Sequence, residues 1–149
     1  MFVAIEHLKL DELKAFLRVQ AGDAFPSLKD ENRLNFLAEK WHQYAEFCTC
    51  RDGQNQLVGM IAFYANQPEN KEAFLPHIYV SSHFRKRGLF TKMLIVVEKY
   101  VYAKGFNIIK LEVGCNRANA IESYIRKGLT IYECKQDRLY LKKQLDNKK

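Results

Sequence analysis

Residues 83–94, HFRKRGLFTKML, place three cationic side chains, Arg85, Lys86 and Arg87, directly before Gly88 and an apolar pattern of helical spacing. A glycine at a strand-to-helix junction lets the backbone approach a ligand closely, and the first turn of the helix offers unbonded amides. The helix dipole adds partial positive charge at the same end. Together these features make an anion site whose natural occupant is phosphate, and Thr91 and Lys92 lie within reach in the same turn. A solvated basic surface and a nucleic-acid contact are the competing readings of the run. The glycine spacing is neither that of a P-loop nor that of a dinucleotide-binding turn.

Other reactive side chains are less organised. Cys48 and Cys50 form a C-T-C pair, and Cys115 and Cys134 stand alone. No second pair or histidine cluster gives zinc spacing, and no disulfide framework is expected in a chain this long, so each cysteine reads as a buried, reduced thiol. No metal is implied.

The chain has 149 residues, of which 48% are apolar and 28% charged, enough for one domain spanning 1–149 with a substantial core. Its formal charge of +7 favours anionic partners without choosing among them. Basic residues are scattered among Asp and Glu, with no helix-turn-helix or zinc spacing, which argues against a specific nucleic-acid module. The first residues lack the apolar run of a signal peptide, and no stretch approaches the ~20 apolar residues of a membrane span. A cytoplasmic protein with no membrane partner is the expectation.

The elements that must position the basic run read as follows. FVAIEHL at residues 2–8 is a first strand, and Leu10, Leu13, Phe16 and Leu17 recur at helical spacing up to Gly22 and Pro26. Ser27 is the expected N-cap of a second helix carrying Leu34, Leu37, Trp41 and Tyr44 on one face. Residues 47–51 and 57–64 form a hairpin around D-G-Q-N, and 74–80 is a further strand leading into the basic run. Met93, Val97, Tyr100 and Val101 stripe the next helix, which Gly105 ends. A strand at 108–115, a short helix at 118–127 closed by Gly128, and a hairpin across Gln136-Asp137 complete the order. KKQLDNKK reads as a frayed, solvated end. The order β-α-α-β-β-β-α-β-α-β-β calls for an α+β fold with one mixed sheet. Pro76 within a strand removes a ladder hydrogen bond and argues for a bulge or an unpaired edge.

YVSSHFRKRGLFTKML resembles the acyl-CoA-binding motif of the GNAT superfamily of N-acetyltransferases, with Arg85, Lys86, Arg87 and Gly88 at the motif positions. NRANAIESYIRKGL resembles a second motif of that family through Ala120, Ile121, Tyr124 and Gly128, with Leu129 in place of the usual aromatic. The element order agrees with the family fold from residue 2 to about residue 143, including a central sheet that splays. Two positions depart from the pattern. Phe90 replaces the last small residue of the phosphate loop, and Arg117 stands where the family has Asn, with Asn116 and Asn119 on either side.

The resemblance implies acetyl-CoA as co-substrate and transfer of its acetyl group to a primary amine by direct attack. The pyrophosphate would lie on the amides around Gly88 with Arg85, Lys86 and Arg87, near Phe90, Thr91, Asn116 and Asn119. The pantetheine arm would run along the backbone of Ile78, Tyr79 and Val80 where the sheet splays at Pro76. Tyr124 would protonate the departing thiolate; otherwise it is an apolar-face residue packed beside Ile121 and Ile125. The base is left among His77, Glu112, Glu72 and bound water. A non-catalytic acyl-CoA sensor of the same fold is the alternative function. The acceptor amine is unassigned, and a homodimer is left open.

Overall fold

The computed structural model describes residues 1–146. Its order is β1 (Phe2–Glu6), α1 (Leu10–Ala21), a 3₁₀ turn (Pro26–Lys29), α2 (Glu31–Tyr44), β2 (Glu46–Arg51), β3 (Leu57–Tyr64), β4 (Glu72–Val80), α3 (Leu89–Ala103), β5 (Ile108–Gly114), α4 (Ala118–Arg126), β6 (Thr130–Lys135) and β7 (Arg138–Gln144). The strands form one sheet in the order β1-β2-β3-β4-β5-β7-β6. Every neighbouring pair is antiparallel except β4 and β5, so the sheet is mixed as the element order required.

Helices cover both faces. On one side Leu13, Phe16 and Leu17 of α1 and Leu34, Ala38 and Trp41 of α2 bury against Met60, Ala62 and Tyr79. On the other, Met93, Leu94, Val97 and Val101 of α3, with Tyr124 of α4, bury against Ile61, Phe63, Ile109 and Leu111. Such apolar burial contributes roughly 25 cal/mol per Å², so these two stripes, each at a 3.6-residue repeat, are what fix the helices to the sheet.

Three local expectations need correction. Asp30, not Ser27, caps α2, its Oδ1 accepting from Asn32 N (3.0 Å) and Arg33 N (3.4 Å). Pro26 starts a 3₁₀ turn that consumes Ser27 and anchors through buried Leu28, which pushes the helix start along by one turn. Cys48 and Cys50 are buried as expected, but Cys115 and Cys134 are exposed at the end of β5 and on the edge strand β6. The KKQLDNKK end is strand through Gln144, and Leu145 is buried with its amide bonded to Asn107 O at 2.7 Å. Residues 147–149 of that segment lie outside the described residues.

Pro76 shapes the centre of the sheet. Tyr64 pairs with Phe74 and Ala62 with His77, so Leu75 and Pro76 together oppose the single residue Phe63. That is a bulge, where the missing proline N–H costs least. On the other edge, β4 and β5 pair only at Glu72–Ile108, Ala73–Ile109 and Phe74–Lys110, then separate. The extra residue also inverts the alternation of side chains. Ala73 and Leu75 belong to the α3 side, but beyond the bulge Ile78 and Val80 turn that way and Tyr79 joins the α1/α2 side. His77 goes with Tyr79, on the face opposite Leu75.

Candidate active site

The splay leaves backbone groups of β4 without a strand partner. Ser81 N donates to Val58 O at 2.8 Å, so by the two-residue period Tyr79 and Ser81 face β3 while Ile78 and Val80 face the gap. One of those groups is engaged: Val80 O accepts from Arg85 Nε at 2.8 Å. The remaining amides and carbonyls of Ile78 and Val80 border an open cleft of about 960 Å³.

The far wall of this cleft is the mouth of α3. Gly88 has φ of +79°, the left-handed region that costs an ordinary residue about 1–2 kcal/mol, and a Cβ there would meet nothing within 4 Å. The backbone angle favours glycine, and its lack of a side chain leaves space above it. Having no side chain, it caps nothing, and the first intrahelical bond runs from Lys92 N to Gly88 O (3.1 Å). The amides of Leu89, Phe90 and Thr91 are therefore free at the helix start, where an anion is stabilised by both hydrogen bonds and dipole.

The basic run divides its work. Lys86, Gly88, Phe90, Thr91, Asn116 and Asn119 line the cleft. Arg85 lines it too, but its guanidinium is already committed: Nη2 meets Asp23 Oδ2 at 2.5 Å, and the group sits 5.7 Å over the Tyr79 ring. The Tyr79 hydroxyl donates to the same Asp23 oxygen at 2.6 Å, and burial with that carboxylate nearby pushes the phenol up to about 12. Arg85 thus ties the end of β4 to the loop after α1. Arg87 stacks on Phe84 at 5.4 Å, outside the cleft lining. Phe90 packs partly into the core and meets the Tyr124 ring edge-on, centroids 5.6 Å apart, while still bordering the cleft.

A second chamber of about 700 Å³ adjoins the first across Phe25, Ile78, Asn116 and Arg117. Tyr124 lines this chamber and is 9% exposed. Burial raises its pKa above the usual phenol value of 10, against a smaller opposing pull from the Arg117 charge. Its hydroxyl makes no hydrogen bond among the described residues, so it is a protonated donor with its hydrogen unassigned.

Of the three side chains considered as bases, two reach the chamber. His77 is 7% exposed, with Phe25 and Trp41 rings at 4.5 and 4.8 Å, and burial lowers its pKa to about 4. Gln20 Nε2 donates to Met60 Sδ, which turns Gln20 Oε1 toward His77 Nε2 at 2.6 Å. The imidazole is therefore neutral and donates from Nε2. Glu112 lines the chamber but pairs with Arg138 at 2.9 Å. Glu72 pairs with Lys110 at 3.0 Å and lines neither space.

Several lining residues escaped the sequence reading. Ala24 and Phe25 come from the loop after α1, Ser123 and Arg126 from α4, and Lys127 from just beyond its end. The only local signal for the first group was the Gly22–Pro26 punctuation, which marks a loop and not what it faces.

The mixed seven-stranded sheet with helices on both faces is the fold of the GNAT acetyltransferases. The chain belongs to the acetyltransferase (GNAT) family, whose model matches residues 10–129. It is similar in structure to the PaiA N-acetyltransferase of Thermoplasma acidophilum, solved in complex with coenzyme A, with TM-score 0.78 and 17% identity over 97% of this chain and 99% of that one. A GNAT-family acetyltransferase of Staphylococcus aureus Mu50 gives TM-score 0.79 and 18% identity, covering 97% and 100%. The IAA acetyltransferase of Bacillus cereus ATCC 14579 gives 0.73 and 15%, covering 97% and 100%. At these identities the likeness is one of fold. No curated protein matches the chain in sequence. Among the described residues no helix is long and apolar enough to cross a membrane, and no group of three or more His, Cys, Asp or Glu is placed to hold a metal ion.

Proposed function

We propose that the protein is an N-acetyltransferase that moves the acetyl group of acetyl-CoA to a primary amine within a ternary complex. The observation that carries this reading is the junction of the two spaces. An open β4 edge and an uncapped helix mouth flank one, and Tyr124, whose hydroxyl bonds to nothing among the described residues, lines the other. The amides of Leu89, Phe90 and Thr91, with Lys86, suit a pyrophosphate, and the clearance over Gly88 lets it approach. Arg85 then acts chiefly as a brace that holds the β4 end and Asp23 in place, and Arg87 as a peripheral cation. The free groups of Ile78 and Val80 suit the amides of a pantetheine arm laid in like a strand.

The amine nitrogen attacks the thioester carbonyl, the carbon–sulfur bond breaks, and Tyr124 gives its proton to the departing thiolate. A primary ammonium has a pKa near about 10.4 and must lose a proton first. His77, with a pKa of about 4, is too weak a base for that task and serves to wall the chamber. Glu112 and Glu72 are ion-paired. Water in the open chamber carries the proton away.

Saturating acetyl-CoA tests the reading. At a hundredfold excess over Kd, linkage adds about 2.7 kcal/mol of stability, which raises Tm by several degrees in a domain of this size. An unchanged melting curve with both acetyl-CoA and CoA refutes the assignment.

A further inference from the structure

The chamber beside Tyr124 carries a net sign. Arg33 and Lys40 of α2 and Arg117 at the start of α4 line it, and none of these side chains has a carboxylate partner among the described residues. Glu112 is the sole carboxylate among the described lining residues, and Arg138 already holds it at 2.9 Å. A polycationic acceptor would find four cations and no free anion. Aromatic rings supply much of the remaining wall: Phe25, Trp41, Phe74 and Tyr64. The Tyr64 hydroxyl is buried without a hydrogen-bond partner, beside the Trp41 indole but outside bonding geometry. The Arg117 guanidinium lies 5.4 Å over the Phe25 ring, at the seam between the two spaces. A guanidinium stacked on a ring keeps its N–H edge free for a bidentate oxyanion.

We infer that the acceptor is an amine with an apolar or aromatic body that also carries an oxyanion, a carboxylate or a phosphate, bound by Arg117 with Arg33 and Lys40. This rests on the acetyl-transfer reading of the same site. Position 117 is where the chain departs from the family motif, and the departure puts a cation at the seam. The same positive field disfavours an ammonium ion and so favours the neutral, attacking amine. The oxyanion offsets that field, which lets a charged molecule enter.

The test is calorimetric titration of the CoA-saturated protein and of the ligand-free protein with L-phenylalanine, phenyl phosphate and 2-phenylethylamine. At least one oxyanion probe should bind about tenfold or more tightly than 2-phenylethylamine, with the preference shrinking as salt is raised. Arg117→Gln and the double variant Arg33→Gln/Lys40→Gln should each remove most of that preference. The double variant matters because its two residues line only this chamber, which separates it from the phosphate cradle. Lys99→Gln, an exposed cation of α3 that lines neither space, should leave the preference intact. The inference is overturned if neither oxyanion probe outbinds 2-phenylethylamine, or if the variants keep the preference. Should the preference hold while acetyl-CoA fails to shift Tm, the anion site stands and the transferase reading falls.

Discussion

Tyr124→Phe isolates one proton. The ring stays, with its edge against Phe90 at a centroid distance of 5.6 Å, and the backbone carbonyl that receives Leu129 N at 3.1 Å is untouched. Because the hydroxyl bonds to nothing among the described residues, its removal breaks no hydrogen bond, and the stability change should stay within about 1 kcal/mol. The phenol pKa is raised above 10 by burial, so at neutral pH the proton is present and available to a thiolate. General acid catalysis is typically worth about 10²- to 10⁴-fold, or roughly 2.7–5.4 kcal/mol of barrier. Single-turnover rates on one working amine, beside acetyl-CoA Kd from calorimetry, separate chemistry from binding. CoA release should be followed by chromatography, because the exposed thiols of Cys115 and Cys134 would consume a thiol reagent. The expected outcome is a rate drop of about 10²- to 10⁴-fold with Kd little changed. A fall of less than about threefold would show that Tyr124 only packs, and the proton donor would have to be water.

Gly88→Glu should abolish acetyl-CoA binding in calorimetry while circular dichroism stays native, since its Cβ meets no atom within 4 Å and the φ of +79° adds only about 1–2 kcal/mol of strain. Normal binding by that variant would remove the phosphate cradle from the site. His77 should make stability pH-dependent in one direction. Its folded-state pKa of about 4 lies below the ordinary 6.5, so the unfolded chain takes up the proton first and stability falls as pH drops from 6.5 toward 4. Urea unfolding should show wild type losing about 2 kcal/mol more than His77→Asn between about pH 7.5 and about pH 5, and equal losses would mean that the ring is not held neutral.

What the sequence determined by itself was local. A left-handed φ is open to glycine without strain, so Gly88 between a basic run and an apolar stripe already specified a helix mouth with free amides. Pro76 has no N–H to give, so a strand containing it had to bulge or go unpaired, and β4 does both. The apolar periods set the order of strands and helices for the same reason: each element has one face that must be buried. Partners far apart in the chain were decided only by the fold. Arg85 meets Asp23 from 62 residues away, a carboxylate partner that no local pattern announces. His77 finds Gln20 at a separation of 57 residues, and the bulge, by inverting the side-chain alternation, put it on the face opposite Leu75. Phe90 fills the space beside Tyr124 because α3 and α4 converge on one face of the sheet. Arg117 read only as a departure from a motif. Its place over Phe25, with no carboxylate paired to it among the described residues, exists because the α1–α2 loop folds across the seam, and no local pattern encodes that approach.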